Sequence, residues 1–322
     1  MAERIVVADK LGAAGLELLR TIPGFDVLDV AGKGADALEG ALPDAVVLVV
    51  RSETKVTAAV MAKAPRLRII ARAGMGVDTI DLAEANHRKI AVLTAPGANS
   101  NSVAEFTFAL LLGLVRKVPG AVASLGSGSW DRKSFEGTEL RAKTLGLVGM
   151  GRVGSGVAAI ARGFGMRVVA YDPRLTQPEV DPLGVTLLPL GDVLRSADVV
   201  SLHAKLTPET RHILDDARLA TMKQGVVIVN TSRGALIDDA ALVRALRSGH
   251  VAGAALDVYD PEPLPADSVL RGAPNVLLTP HLAASAKEAQ TRVALEIGEA
   301  VKAALLKGDL GAAVNRKEIG AA

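Results

Sequence analysis

The chain has 322 residues, enough for two domains, and its 49 % apolar and 22 % charged residues are typical of a globular rather than a disordered protein. The formal net charge of +2 offers no electrostatic basis for binding nucleic acid, so we expect no nucleic-acid partner. The absence of cysteine excludes disulfides, thiolate nucleophiles and cysteine-ligated zinc.

The amino terminus predicts a strand rather than a targeting signal. Met1 to Lys10 lack the basic start, the apolar stretch and the small-residue cleavage site of a secretory signal. The longest apolar run, Phe106 to Val115, is much shorter than the roughly 20 residues that span a bilayer. We therefore expect a cytoplasmic protein with no membrane partner.

Short β-branched segments alternate with Ala- and Leu-rich segments of helical period along the chain. This alternation is typical of βαβ units, which build a parallel sheet covered by helices on both faces. The pattern predicts an α/β protein with more strands than one small sheet needs. The predicted strands are Ile5–Ala8, Val46–Val50, Leu67–Ala71, Ala91–Leu93, Thr144–Val148, Arg167–Tyr171, Val199–Leu202, Val226–Asn230, Ala252–Leu256 and Val276–Leu278.

Several local signals predict where helices begin. Asp238 is expected to be an N-cap residue, because the apolar residues after it follow a helical period. The Gly- and Ser-rich segment Gly120–Gly137 predicts an irregular arm. Two residue pairs fit the capping-box pattern and predict helix starts, namely Ser102 with Glu105 and Ser285 with Glu288.

A glycine-rich motif, GMGRVG, directly follows the predicted strand Thr144–Val148 and opens a helical pattern. Its first glycine permits a tight turn, its second lets the backbone approach a pyrophosphate, and its third lets the helix pack on the strand. The N-terminus of the helix adds unpaired N–H groups and a partial positive charge. The motif therefore predicts a dinucleotide-binding loop made of Gly149, Gly151, Arg152, Val153 and Gly154.

An acidic residue, Asp172, ends the next predicted strand. A carboxylate at this place accepts hydrogen bonds from both ribose hydroxyls and repels a 2′-phosphate, so NAD is the predicted cofactor. Arg174, two residues further on, offers a contact for a 2′-phosphate and keeps NADP as the alternative.

Three further polar residues, Arg233, Glu262 and His281, each lie shortly after a predicted strand. In an open parallel sheet the ligand crevice lies outside the carboxyl ends of the strands, so these side chains can converge there. A guanidinium binds a carboxylate through two hydrogen bonds, and an imidazole exchanges a hydroxyl proton. Each residue alone also has an ordinary alternative, as a surface charge, a loop residue in a Pro-rich turn, or a cap. No pair of histidines has metal-ligand spacing, and no metal is predicted.

Five motifs occur in the order and spacing of the D-isomer-specific 2-hydroxyacid dehydrogenases, and the chain resembles that family from about Val6 to Asn315. The segments Phe135–Leu140 and Lys287–Gln290 are similar in particular to its D-3-phosphoglycerate dehydrogenase branch. The five motifs are Ala71–Asp78, Gly149–Gly154, Asn230–Gly234, Ala255–Val258 and Thr279–Leu282.

The resemblance implies a central Rossmann NAD-binding domain inserted in a discontinuous flavodoxin-like substrate domain. The implied limits are 1–97 for the first part of the substrate domain, 98–282 for the NAD-binding domain and 283–322 for the return of the substrate domain. The resemblance also implies a homodimer that forms through the NAD-binding domain.

The resemblance also implies roles for single residues. Arg233 would bind and polarise the 2-oxo acid, His281 would be the acid/base and Glu262 would pair with His281. His203 and Asp257 would contact the cofactor.

Three arginines match the positions that hold the substrate phosphate in the D-3-phosphoglycerate dehydrogenase branch. These are Arg51, Arg72 and Arg132, and Arg132 would come from the arm of a partner subunit. Gly74 and Asn99 complete the substrate site that the resemblance implies.

The expected reaction is the NAD-dependent interconversion of a small phosphorylated 2-hydroxy acid and its 2-oxo acid, 3-phosphoglycerate and 3-phosphohydroxypyruvate. Alternatives are a glyoxylate or hydroxypyruvate reductase, a sulfolactate-type dehydrogenase and, from another class, an NAD(H)-sensing regulatory protein. Met75, Lys205 and Ala283 depart from the family pattern, which leaves the choice of substrate open.

Overall fold

A computed structural model describes residues 3–321 of the chain, and the predicted domain ends at residues 1 and 322 lie outside the described residues. The chain divides into two compact units, Met1–Asn99 with Ser285–Ala322, and Ser100–Ala284.

The first unit contains a five-stranded parallel sheet. Its strands are β1 (Glu3–Val7), β2 (Phe25–Asp29), β3 (Ala45–Val50), β4 (Ile69–Arg72) and β5 (Ala91–Thr94), in the order β2-β1-β3-β4-β5. Its helices are α1 (Ala13–Arg20), α2 (Ala35–Ala41), α3 (Ala58–Ala62), α4 (Leu82–His87) and the returning α12 (Lys287–Lys307). α12 packs closely on α1. At their contact a Cβ on Gly15 would lie only 2.6 Å from the carbonyl oxygen of Ala294, so only glycine fits there.

The second unit contains a seven-stranded parallel sheet. Its strands are β6 (Thr144–Val148), β7 (Arg167–Tyr171), β8 (Thr186–Leu187), β9 (Val199–Leu202), β10 (Val226–Asn230), β11 (Val251–Leu256) and β12 (Val276–Leu278). Its helices are α5 (Ser100–Val115), α6 (Val118–Gly126), α7 (Arg152–Gly163), α8 (Gln177–Val180), α9 (Leu190–Ser196), α10 (Asp216–Ala220) and α11 (Asp239–Arg247). The strand order β12-β11-β10-β9-β6-β7-β8 reverses between β6 and β9, and a ligand crevice is expected at such a switch point.

All ten predicted strands are present, with ends that differ by at most two residues from the prediction. β3 and β6 are buried along their whole length, which explains their continuous apolar sequences. The prediction missed β2 and β8, each of which is an edge strand of its sheet. Because β2 is only partly buried and includes two aspartates, and β8 has two residues, neither has a clear strand pattern.

Both predicted capping boxes are wrong. α5 begins at Ser100, ahead of the predicted cap, and the carboxylate of Glu105 accepts a hydrogen bond from the side chain of Asn101 at 2.6 Å. α12 begins after Ala286, whose side chain cannot cap it, so Ser285 lies outside the helix. Neither predicted serine is therefore the N-cap residue of its helix.

The predicted N-cap at Asp238 is confirmed, since its carboxylate accepts a hydrogen bond from the N–H of Ala241 at 3.0 Å. The predicted irregular arm Gly120–Gly137 is wrong in its first half, which belongs to α6. The later part, around Trp130, is exposed and contains no helix or strand.

The boundaries of the two units lie two residues beyond the predicted limits of 97/98 and 282/283. Ala98 belongs to the first unit, where its carbonyl oxygen accepts a hydrogen bond from Nε of Arg292 on α12 at 3.0 Å. Leu282 and Ala283 belong to the second unit, where both backbone N–H groups donate to Asp257 at 2.8 Å.

Among residues 3–321, no single helix is long and apolar enough to cross a membrane. The pair α5 and α6 reaches the required length and composition only together, and it is bent by 62°.

Candidate active site

The glycine-rich loop joins β6 to α7 in a tight turn. Gly149 has a φ of +97°, and a Cβ there would lie 2.6 Å from the backbone of His203. A Cβ on Gly154 would lie 2.4 Å from the carbonyl oxygen of Gly149, so helix and turn pack directly. Gly151 has an ordinary φ of −74° and faces open space, which leaves room for a pyrophosphate. Arg152 and Val153 begin α7.

His203 lies beneath this loop, after β9. Its Nε2 is 2.8 Å from the hydroxyl of Ser201, and its Nδ1 is buried with no hydrogen-bond partner among the residues described. Burial lowers the pKa of His203 to about 4, so the ring is neutral at physiological pH. Its contact with a cofactor stays a prediction.

Asp172 follows β7 and is fully engaged in hydrogen bonds. It accepts from the N–H of Met150 in the glycine-rich loop at 3.0 Å, and from Nε and Nη2 of Arg174 at 3.1 and 2.9 Å. Burial favours a raised pKa of Asp172, but the hydrogen bonds from Arg174 and Met150 outweigh it and lower the pKa. The predicted ribose ligand is therefore an ionised carboxylate in an ion pair.

The loop that carries Arg233 follows β10 and is held by Asn230. The side chain of Asn230 accepts from the N–H of Ser232 at 3.0 Å and donates to the carbonyl oxygen of Arg233 at 2.8 Å. Gly234 lets this loop contact the loop after β11, since a Cβ there would lie 2.0 Å from the carbonyl carbon of Tyr259. This close approach places Arg233 beside the segment that contains Glu262.

Glu262 and His281 form a hydrogen-bonded pair, with Oε2 of Glu262 2.8 Å from Nδ1 of His281. Oε1 of Glu262 accepts from the N–H of Tyr259 at 2.9 Å. Burial favours a raised pKa of Glu262, but the hydrogen bonds from His281 and Tyr259 and the charge of Arg233 lower it. The structure thus brings together the three residues predicted to be catalytic.

Asp257 holds the backbone around His281. Its carboxylate is completely buried and accepts hydrogen bonds from the N–H groups of Leu282 and Ala283 at 2.8 Å and from the hydroxyl of Thr279 at 2.6 Å. His281 itself has a φ of +54°, in the left-handed region that most side chains avoid. Asp257 therefore supports the loop of His281, and its predicted cofactor contact stays a prediction.

In the first unit, two of the predicted substrate arginines lie at the carboxyl ends of two neighbouring strands. Val50 at the end of β3 is opposite Arg72 at the end of β4, and Arg51 directly follows β3. The buried carboxylate of Asp9 accepts from the N–H groups of Arg51 at 2.5 Å and Thr54 at 3.1 Å, so it fixes the loop that carries Arg51.

The other predicted substrate residues have separate surroundings. Gly74 has a φ of +150°, and a Cβ there would lie 2.2 Å from Nη1 of Arg72, so glycine makes room for that guanidinium. Oδ1 of Asn99 is buried and accepts no hydrogen bond within residues 3–321. Arg132 lies in the exposed segment after α6, in the second unit.

Residues 108–283 match the sequence profile of the D-isomer specific 2-hydroxyacid dehydrogenase family, NAD binding domain. The chain belongs to this family. The predicted family and fold class are confirmed, and so is NAD as the cofactor, because the matched profile is that of the NAD-binding domain. The residues of the site fit NAD. Gly151 leaves space at the glycine-rich loop, and Asp172 is hydrogen-bonded to that loop.

Similarity to known members extends over almost the whole chain. D-3-phosphoglycerate dehydrogenase of Bacillus subtilis is 44 % identical over 298 residues, which are 92 % of this chain and 56 % of that protein. The chain thus spans little more than half the length of the curated relatives it matches. The crystal structure of the TT0316 protein from Thermus thermophilus has a TM-score of 0.86 at 40 % identity and covers 97 % of this chain and 99 % of that chain. D-lactate dehydrogenase of Aquifex aeolicus, solved with NAD and lactic acid, has a TM-score of 0.82 at 30 % identity over 96 % and 98 % of the two chains.

Sequence reasoning missed the residues that support the site of this 2-hydroxyacid dehydrogenase family member. Asn230 was noted only as part of a motif, and Asp9 and Tyr259 had no predicted role. A small polar residue at the end of a buried strand was the available signal for Asn230 and Asp9. The part of the chain that the structure describes contains no group of three His, Asp or Glu side chains able to hold a metal ion.

Proposed function

We propose that the protein is an NAD-dependent oxidoreductase that interconverts 3-phosphoglycerate and 3-phosphohydroxypyruvate. The observation that carries this proposal is the Glu262–His281 pair beside Arg233, after the carboxyl ends of β10 to β12. The strands before these three residues belong to the same sheet as β6, which precedes the glycine-rich loop. Family membership and the names of the curated relatives support the same reaction.

The three side chains have complementary roles in this proposal. Bound NAD supplies the hydride acceptor in oxidation and, when reduced, the hydride donor in the reverse reaction. Arg233 binds the substrate carboxylate and polarises the adjacent oxygen. In oxidation, His281 takes the hydroxyl proton while the carbon that bears the hydroxyl loses its hydrogen as a hydride, and the product is the 2-oxo acid. Glu262 orients His281 and stabilises the imidazolium that forms.

The proposed substrate carries a phosphate dianion, which requires several donors. Arg51 and Arg72 support this part of the proposal. They lie at the carboxyl ends of β3 and β4, which are neighbouring parallel strands, so both ends are on the same side of the first sheet. Arg132 of a second copy is proposed as the third donor.

We further propose that two copies of the chain form a homodimer through the second unit. α6 has no buried residue, and its Val118, Val122 and Leu125 are 48 %, 66 % and 59 % exposed on one helix face. Beside the start of α6 is a groove of about 700 Å³, between the end of α5 and the first residues of β9 to β12. An exposed apolar face next to a groove is suited to a two-fold interface between copies.

Light scattering during gel filtration tests the dimer. We expect the wild-type chain to have the mass of a dimer, and Val122→Glu combined with Leu125→Glu to have the mass of a monomer. A wild-type monomer at micromolar concentration would refute the interface.

The reaction is tested by NADH consumption with a panel of 2-oxo acids. We expect 3-phosphohydroxypyruvate to be reduced fastest, and His281→Ala to lower kcat by roughly 10²–10⁴-fold while NADH binding stays near wild type. NADH binding with no turnover of any acid would favour the regulatory alternative instead. The cytoplasmic location and the absence of nucleic-acid partners stay predictions.

A further inference from the structure

The loop after β10 that carries Arg233 is tied to helix α5 by a pair of hydroxyl groups. The two side-chain hydrogen bonds of Asn230 described above stay within the loop, so they shape it without attaching it to a helix. Thr231 makes that attachment, since its Oγ1 is 2.8 Å from Oγ1 of Thr107 on α5. Thr231 is separated from Arg233 by a single residue, so a displacement of Thr231 also moves the backbone of Arg233.

This pair of hydroxyl groups is buried among apolar side chains. Thr107 is 1 % exposed and Thr231 is 7 % exposed. Phe108 and Leu111 of α5 and Val229 of β10, which lie close to the pair in the sequence, belong to one hydrophobic core. A buried hydroxyl that loses its partner in such surroundings pays the full cost of leaving water. The contact between α5 and the loop is therefore sensitive to the loss of either hydroxyl.

A third contact reveals the direction of the hydrogen bond between the two threonines. Oγ1 of Thr107 is 2.8 Å from the carbonyl oxygen of Val103, one turn earlier in α5. A carbonyl oxygen only accepts and a hydroxyl has one hydrogen, so Thr107 donates to Val103. Thr231 is then the donor to Thr107. The two residues are thus not equivalent, because Thr231 depends on Thr107 for its acceptor, whereas the hydrogen of Thr107 is bound without Thr231.

We propose that Thr107 is a positioning residue for the reaction. By accepting the hydroxyl hydrogen of Thr231, it fixes the place at which the loop presents Arg233 to the 2-oxo acid. This inference rests on the proposed function, in which Arg233 binds the substrate carboxylate. Without the acceptor, the buried hydroxyl of Thr231 has to turn or move to another partner, and Arg233 moves with it. A displacement of about 1 Å at a binding group costs up to about 10²-fold in rate, so a small movement is sufficient.

Thr107→Val tests this role, because it removes the acceptor and nearly conserves the shape of the side chain. With all variants shown to be folded by thermal melts, kcat/KM for 3-phosphohydroxypyruvate should fall about tenfold, while the Kd of NADH changes by less than about twofold. Thr107→Ser keeps the hydroxyl and should restore kcat/KM to within about twofold of wild type. Thr144→Val is the matched control and should change neither value, since Thr144 is also buried in the second unit but lies at the start of β6.

A double variant tests the direction of the hydrogen bond. In Thr107→Val combined with Thr231→Val, no hydroxyl is left without an acceptor, and the loss of both partners of a buried hydrogen bond costs little. We therefore expect the double variant to recover kcat/KM to within about threefold of wild type. A double variant as impaired as Thr107→Val alone would contradict the assignment of Thr231 as the donor.

Hydrogen exchange gives a second readout that does not need turnover. Thr107→Val should raise the amide exchange rate of residues 231–234 about tenfold and leave that of β6 unchanged. Unchanged kcat/KM and unchanged exchange in Thr107→Val would overturn the proposal, and so would NADH binding weakened as strongly as kcat/KM. If wild type reduces no 2-oxo acid, the proposed function fails, and the exchange of residues 231–234 alone decides whether Thr107 positions the loop.

Discussion

The imidazole of His281 and the carboxylate of Glu262 meet at 2.8 Å although they come from loops after different strands, β12 and β11. Hydrogen bonds from the backbone hold both loops. Asp257 accepts from the N–H groups of the two residues that follow His281, and the second oxygen of Glu262 accepts from the N–H of Tyr259. The pair is therefore preorganised before any ligand binds.

Glu262→Gln is expected to lower kcat about 10²-fold, because the amide cannot stabilise the imidazolium by its charge. NADH affinity should remain at the wild-type value. Asp260→Asn is the control, since Asp260 is on the same loop but pairs with Arg211 at 2.9 Å, and it should retain most of the activity. Steady-state kinetics give kcat, and a fully active Glu262→Gln enzyme would contradict the assigned role.

Gly151→Ala should separate cofactor binding from folding. The added Cβ meets no atom within 4 Å and the φ of −74° suits alanine, so the Tm should not fall. NADH binding should weaken by at least about tenfold, since the methyl group occupies the space for the pyrophosphate. Gly149→Ala should instead lower the Tm, because of its φ of +97° and its contact with His203. Thermal melts and NADH fluorescence distinguish the two; unchanged NADH affinity in Gly151→Ala would be the contrary result.

Asp257→Asn should lower the free energy of unfolding by about 1.5–3 kcal/mol, because it removes a charged acceptor from a fully buried set of hydrogen bonds. It should also lower kcat, since the loop of His281 loses its support. Thr279→Val removes only one of the bonds to Asp257 and should cost less, about 1 kcal/mol. Urea unfolding measures both variants. A larger loss in Thr279→Val than in Asp257→Asn would contradict the proposed network.

Asp239 should make stability depend on pH. Burial and the charges of Asp238 and Asp260 raise the pKa of Asp239 to about 6. Since the folded-state pKa lies above the unfolded one, folding favours the protonated acid, and stability falls as pH rises from about 4 to 6. With allowance for partial exposure, Asp239→Asn should gain about 1 kcal/mol, or roughly 2–4 °C in Tm, at pH 7.5 and a smaller amount at pH 4.5, where only part of the penalty has developed. Melts at both pH values test this, and an equal gain at both would exclude titration of Asp239 as the cause.

The parts of this fold that were predictable from the sequence are those with a local pattern. Buried central strands such as β6 are continuous apolar runs, and the turn at Gly149 needs a residue that tolerates positive φ. The edge strands have no such pattern, because β2 is only partly buried and includes two aspartates, and β8 has only two residues. The start of α5 was misplaced because Glu105 pairs with the side chain of Asn101 and not with the predicted cap at Ser102.

The residues of the candidate site were predictable from the sequence, but the hydrogen bonds that connect them were not. The position after a strand end identified Glu262 and His281, since the crevice of a parallel sheet lies there. The hydrogen bonds of Asp257 to residues 279–283 depend on how β11 and β12 pair, which no sequence spacing reveals. The pairing of Asp172 with Arg174 likewise depends on the backbone direction after β7.

The central claim is tested most directly by comparing 3-phosphohydroxypyruvate with unphosphorylated hydroxypyruvate in wild type and in Arg72→Ala. Wild type should have the higher kcat/KM for the phosphorylated acid. Arg72→Ala should raise KM for that acid by about 10- to 100-fold and leave hydroxypyruvate nearly unchanged, because only the first substrate loses a charge-assisted contact. A wild-type preference for hydroxypyruvate, or equal losses for both acids in Arg72→Ala, would contradict the phosphoglycerate assignment.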